Sequence, residues 1–151
     1  MRGFILTGAF LCFVGAPALA LAAEPIATTD GEEPGTSIKV QELKVVSGAL
    51  MLKFSFENNS DKPVDLYGVM VGSEAQSVDG IYLIDVPGKK KYLVVRDADN
   101  NCLCSRNITR HLAPNASAAY WAKFPTPPDS VQKIGIVVPH FIPMDDVPIS
   151  R

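Results

Sequence analysis

Between Arg96 and Ser105 the sequence RDADNNCLCS sets two aspartates and two asparagines before two cysteines one residue apart. Those residue types open three chemistries. Two thiols this close form a disulfide or, as thiolates, ligate a soft metal such as Cu(I) or Zn(II). His111 would then be a third ligand, with His140 and Met144 as further soft donors. Asp97, Asp99 and Asn101 fall at alternate positions, as the first three ligands of a calcium loop do. That pattern stops at once: Cys102 stands where glycine makes the sharp turn, and Ile108 where a bidentate glutamate closes the shell. Asp and Asn also cap their own backbone in long turns, and that reading needs no ion.

Spacing decides between the cysteine chemistries. In an extended segment, residues i and i+2 share a side with Cα atoms roughly 6 to 7 Å apart, the top of the disulfide range. A Cys102–Cys104 bond therefore demands a bent loop. It closes a very short ring, so its stabilisation should fall below the roughly 3 kcal/mol of a loop of about 15 residues. Redox enzymes usually place Cys-x-x-Cys at a helix start, where the dipole lowers a thiol pKa, and nothing here predicts that helix. The expected state is a disulfide that stiffens the loop. The alternative is a copper or zinc carrier using Cys102, Cys104 and His111.

Catalytic patterns are thin. The chain holds no Gly-x-Ser-x-Gly elbow, no His-Glu-x-x-His and no glycine-rich phosphate loop. Asp145 and Asp146 are adjacent, which on a strand sends them to opposite faces. The expectation is a protein that is not an enzyme and carries no cofactor.

The ends and the charge locate these residues. The first residues, MRGFILTGAFLCFVGAPALALAAEP, have the parts of a secretory signal: Arg2, an apolar core from Phe4 to Val14, then Ala-x-Ala triplets. Cleavage is expected after Ala22, leaving a chain without a membrane span that is periplasmic or extracellular. Cys12 departs with the signal, so Cys102 and Cys104 remain as an even pair in a compartment that permits disulfides. Losing Arg2 from 14 basic residues leaves 13 against 16 acidic ones, which offers nucleic acid no electrostatic footprint. The one basic cluster, Lys89 to Lys91, follows Pro87-Gly88 and reads as a solvated hairpin tip. Sequons at Asn58, Asn107 and Asn115 would matter only in a glycosylating host.

Residues 23–37 are polar, acidic and rich in Pro and Gly, and read as a flexible leader. Residues 38–151 then alternate period-two runs with turn signals, and no helical stripe stands out. Leu50, Leu52, Phe54 and Phe56 share one face of the clearest strand, with Met51, Lys53, Ser55 and Glu57 on the other. In the strand Ile38 to Val46 the apolar parity switches, which calls for a bulge near Gln41 or Glu42. Further strands are expected over Asp65 to Val71, Ile81 to Val86, Lys90 to Arg96, Ala118 to Phe124 and Gln132 to Val138. Tyr120, Ala122 and Phe124 should point inward and Trp121 outward. The tail PHFIPMDDVPIS should lie over an edge, broken by its prolines. The whole is an all-β chain, expected to form an antiparallel immunoglobulin-like β-sandwich of about seven strands, with a small barrel as the second choice.

The order GIYLIDVPGKKKYLVVRD, CLCS, LAPNAS-x-x-YWAKFPTPP and VPHFIPMDDVPI resembles small exported immunoglobulin-like domains of uncharacterised function from high-GC bacteria. Some of these are similar to segments that precede OmpA-type envelope domains. The resemblance supports the fold and transfers no active site. It agrees with an exported β-sandwich that binds or supports an envelope or extracellular protein or glycan. The surface expected to do so is the loop carrying Asp97, Asp99, Asn101 and Arg106.

Overall fold

The computed structural model describes residues 24–69 and 76–151. The expected signal peptide, residues 1–22, lies outside them, as do residues 70 and 71 of the third expected strand. Among the described residues ten strands form in chain order: β1 Ala27–Asp30, β2 Thr36–Val46, β3 Ala49–Asn58, β4 Val64–Asp65, β5 Tyr82–Asp85, β6 Lys90–Leu93, β7 His111–Leu112, β8 Ala116–Pro125, β9 Lys133–Val137 and β10 Met144–Pro148. One helical turn, α1 Leu66–Val69, follows β4. All named sheets pair antiparallel, in the orders β1-β2-β3-β8, β10-β9-β5-β6 and β4-β7. Among the described residues no helix is long and apolar enough to cross a membrane.

The two four-stranded sheets share one core, and alternation builds it. Leu50, Leu52, Phe54 and Phe56 of β3 lie opposite Phe124, Ala122, Tyr120 and Ala118 of β8; all but the partly buried Ala118 are buried. The second sheet adds Leu83, Ile134 and Ile136, all buried. Each large apolar side chain so buried contributes about 2 kcal/mol by area. The parity conflict in β2 resolves as expected: its register with β3 shifts between Val40 and Glu42, so Ile38, Val40 and Leu43 all reach the core.

Three expectations change. Residues 23–37 are not a flexible leader throughout, since Ala27–Asp30 pairs with β2 from Ala27↔Val40 to Asp30↔Ser37. A polar strand holds there because its partner supplies the backbone hydrogen bonds and Thr29 and Thr36 are buried. The strand expected over Asp65 to Val71 stops at Asp65, whose Oδ1 accepts from Tyr67 N at 3.0 Å and starts the helical turn. The strand expected over Lys90 to Arg96 is shorter, because Val95 leaves β5 and donates to Lys123 O of β8 at 2.9 Å. The Pro87-Gly88 hairpin stands as expected. Gly88 N donates to Asp85 Oδ1 at 3.0 Å, and a Cβ on Gly88 would strike that carboxylate.

Both seams between the large sheets are closed by backbone hydrogen bonds. On one side the chain beyond β10 crosses to β2: Ser150 N donates to Leu43 O and Val45 N to Ser150 O, each at 2.9 Å. The expected Pro-broken tail is thus a strand with a register break between Met144 and Val147, then a strap across an edge. On the other side the cysteine loop joins β6 to β8.

Candidate functional site

The segment Val95 to Ser105 is a small hairpin laid along the edge of β8. Arg96 pairs with Cys102 and Cys104 with Ala122. Leu103 N donates to Val95 O at 2.8 Å, Lys123 N to Leu103 O at 2.9 Å and Ser105 N to Trp121 O at 2.8 Å. Trp121 N donates in return to Ser105 Oγ at 2.9 Å. Every donor that β8 offers here is therefore met, which covers an edge that would otherwise invite pairing.

The cysteines sit on the inward side of this hairpin, each only 4 % exposed. Their sulfurs are joined, with Cα atoms 5.3 Å apart. That separation is shorter than an extended pair allows, so the segment is bent, as a local bond between these positions demands.

The acidic apex is organised by its own backbone. Asp97 Oδ1 accepts from Asp99 N at 2.9 Å and Asn101 N at 2.8 Å, and the Asn101 side-chain amide reaches Oδ2 at 3.2 Å. Asp97 N donates to Asn101 O at 2.9 Å, and Asn100 turns the chain at φ 64°. The Asn101 backbone N–H and then its side chain favour the charged carboxylate, as do the Asp99 N–H and the Arg106 charge. Despite some desolvation, Asp97 is held below the ordinary carboxylate range. Asp97 thus spends its acceptors on the turn, the capping role open to Asp and Asn in a long loop.

One strong ion pair lies beneath. Arg96 Nη2 meets Asp79 Oδ2 at 2.6 Å, and the Asp79 side chain is 1 % exposed. Arg96 Nη1 also donates to Asn100 O at 2.7 Å, so a single guanidinium links the apex to a buried carboxylate. Ser77 Oγ donates to the other Asp79 oxygen at 2.9 Å, and Ser77 pairs in turn with Arg106. Sequence reading missed Asp79. Its signal, an aspartate in a Ser-x-Asp turn before a strand, has no distinguishing neighbour until the fold brings Arg96 to it.

Asp97, Asp99, Asn101 and Arg106 are brought to one exposed loop system, with Asn101 partly buried. His111 is not brought to the cysteines. It sits exposed on β7 opposite Asp65, and among the described residues no group of three His, Cys, Asp or Glu is placed to hold a metal. Desolvation pushes the Asp65 carboxyl up, but the Arg110 guanidinium at 3.1 Å and the Tyr67 N–H outweigh it and hold it low. His140 Nδ1 lies 3.0 Å from Glu32 Oε2, and Met144 is buried in the core. The Lys89 to Lys91 tip is solvated, with Lys91 Nζ 3.7 Å from the centre of the Tyr82 ring. Comparison of the chain with protein-family models, curated proteins and solved structures finds no match to any of them.

Proposed function

We propose that this chain is an exported, non-catalytic immunoglobulin-like β-sandwich that binds or supports a protein or glycan of the cell envelope. The binding surface is the loop from Asp97 to Arg106, and the Cys102–Cys104 disulfide stiffens it. One observation carries this reading: an exposed apex is locked at its centre by Asp97, at its base by Arg96 on buried Asp79, and along its flank by β8. A loop already ordered before contact loses little conformational freedom on binding, which favours affinity. The signal-like start and the even cysteine pair support export.

Two measurements test it. Intact mass of protein recovered from the exported fraction should match a chain beginning at Ala23 and lie about 2 Da below its fully reduced form. Stoichiometric copper or zinc with two titratable thiols would replace the disulfide reading with the metal carrier. Asp99→Ala with Arg106→Ala should weaken retention on isolated envelope material by about tenfold, while Lys89→Ala leaves it unchanged. Equal retention by all forms would show that the loop is not the binding surface.

A further inference from the structure

The outward face of the β3–β8 pair has a different character from the loop. Lys53 lies directly opposite Trp121, and Met51 opposite Lys123. With Gln41 and Ala119 these side chains line an open groove of about 600 Å³. Trp121 is the chain's one tryptophan and is 38 % exposed on this face. The floor is apolar: indole, thioether, methyl and lysine stems. Two ammonium groups stand at the rim and no carboxylate is among the lining residues. Lys53 is met by Glu42 at 3.0 Å, just outside the groove, whereas Lys123 has no carboxylate partner among the described residues. The groove is locally cationic on a chain of formal charge −2.

We infer that this groove binds an acidic glycan, with Trp121 stacking on the C–H face of a uronate ring and Lys53 and Lys123 meeting its carboxylates. Shape selects the class. An open groove leaves the outer side of its occupant in water, so the ligand must be apolar on one face and hydrated on the other. A pyranose ring is built that way, whereas an acyl chain would be left half wet. A peptide adding as a strand needs a free edge, but β3 is paired on both sides and β8 is closed by the hairpin from Val95 to Ser105. Charge narrows the class further, since Lys53 and Lys123 outnumber Glu42 at the rim, and that net positive charge favours an anionic ligand.

The face is also held ready. The Trp121 backbone is fixed through its N–H and C=O by Ser105. Gln41 Nε2 donates to Ser55 Oγ at 2.9 Å, and that hydroxyl donates to Glu57 Oε1 at 2.6 Å. A polar group already oriented at a groove rim loses little on binding.

Because Trp121 is unique, its emission reports on this groove alone. The purified chain is titrated with oligogalacturonate, with a neutral cello-oligosaccharide of equal length, and with vesicles of anionic phospholipid. The expected result is a saturable emission change with oligogalacturonate and binding of the neutral oligomer at least about tenfold weaker. Lys53→Gln and Lys123→Gln should each weaken uronate binding about two- to fivefold. By calorimetry, Trp121→Ala should weaken it at least about tenfold. Asp99→Ala with Arg106→Ala should not change it, so failure here is distinct from failure of the loop as an envelope surface. Far-ultraviolet circular dichroism of each variant separates lost binding from lost fold. Three results would each overturn the proposal: no saturable change with oligogalacturonate, equal affinity for the neutral oligomer, or a response to vesicles alone.

Discussion

Asn58 shows how one side chain decides a corner. It is fully buried, and its Nδ2 donates to Lys62 O at 2.8 Å, Ala113 O at 3.0 Å and Leu112 O at 3.2 Å, while its Oδ1 accepts from Ser60 N and Ser60 Oγ. It ties the end of β3 to the β7–β8 turn, and the sequon that begins there is closed to a glycan in this fold. Asn58→Ala takes the side-chain donor from the Leu112 and Ala113 carbonyls, while Lys62 O keeps Ser60 Oγ, and urea denaturation should show a loss of about 3 kcal/mol. At the loop apex the sign of the pH effect follows from Asp97. Its folded pKa is depressed, chiefly by the Asn101 N–H and side chain, so its contribution is present above the unfolded value of about 3.9. It is lost as pH falls through the folded value. A carbon-detected titration should place the Asp97 midpoint below the ordinary range. Asn101→Ala should move it upward, and an unchanged midpoint would remove the cap from the account. Neither Asn58 nor Asp79 was legible beforehand, because a buried polar residue is recognisable only by partners far away in sequence.

At the scale of elements, legibility followed local periodicity. The faces of β3 and β8, the bulge in β2 and the inward set Tyr120, Ala122 and Phe124 stand where alternation put them, since each pattern lies within ten residues or so. β1 was not legible: its burial depends on β2, and a polar ATTD stretch has no apolar rhythm to show. The shortened β6 was equally hidden, because Val95 switches partners to a strand that appears much later in the chain. The Trp121 groove was half visible. Alternation set Trp121 outward, but its neighbours across the sheet require the β3–β8 register. The cysteine hairpin can be tested as an element. Reduction keeps both buried sulfurs and removes only the crosslink of a very short ring, so the urea midpoint should report a loss of no more than about 1.5 kcal/mol. A much larger loss would mean that the hairpin depends on the bond to stay on β8.

At the scale of the whole molecule, stability depends on closing two seams between the large sheets. Deleting residues 149–151 removes the buried Ile149 side chain and the hydrogen bonds from Ile149 N to Gln132 O, Ser150 N to Leu43 O and Val45 N to Ser150 O. It also frees Asp129 from Arg151. Burial of one isoleucine plus three backbone hydrogen bonds gives an expected loss of about 4 kcal/mol, read from the urea midpoint of the shortened chain. A loss under about 1 kcal/mol would show that the strap merely lies on β2. The strap has a temporal meaning too. Leu43 and Val45 meet Ser150 across more than a hundred residues, so this seam stays open until Ser150 itself has emerged from synthesis. Through that interval the far half of β2 is an uncapped template, and a holding factor acting on the nascent chain would find its target there.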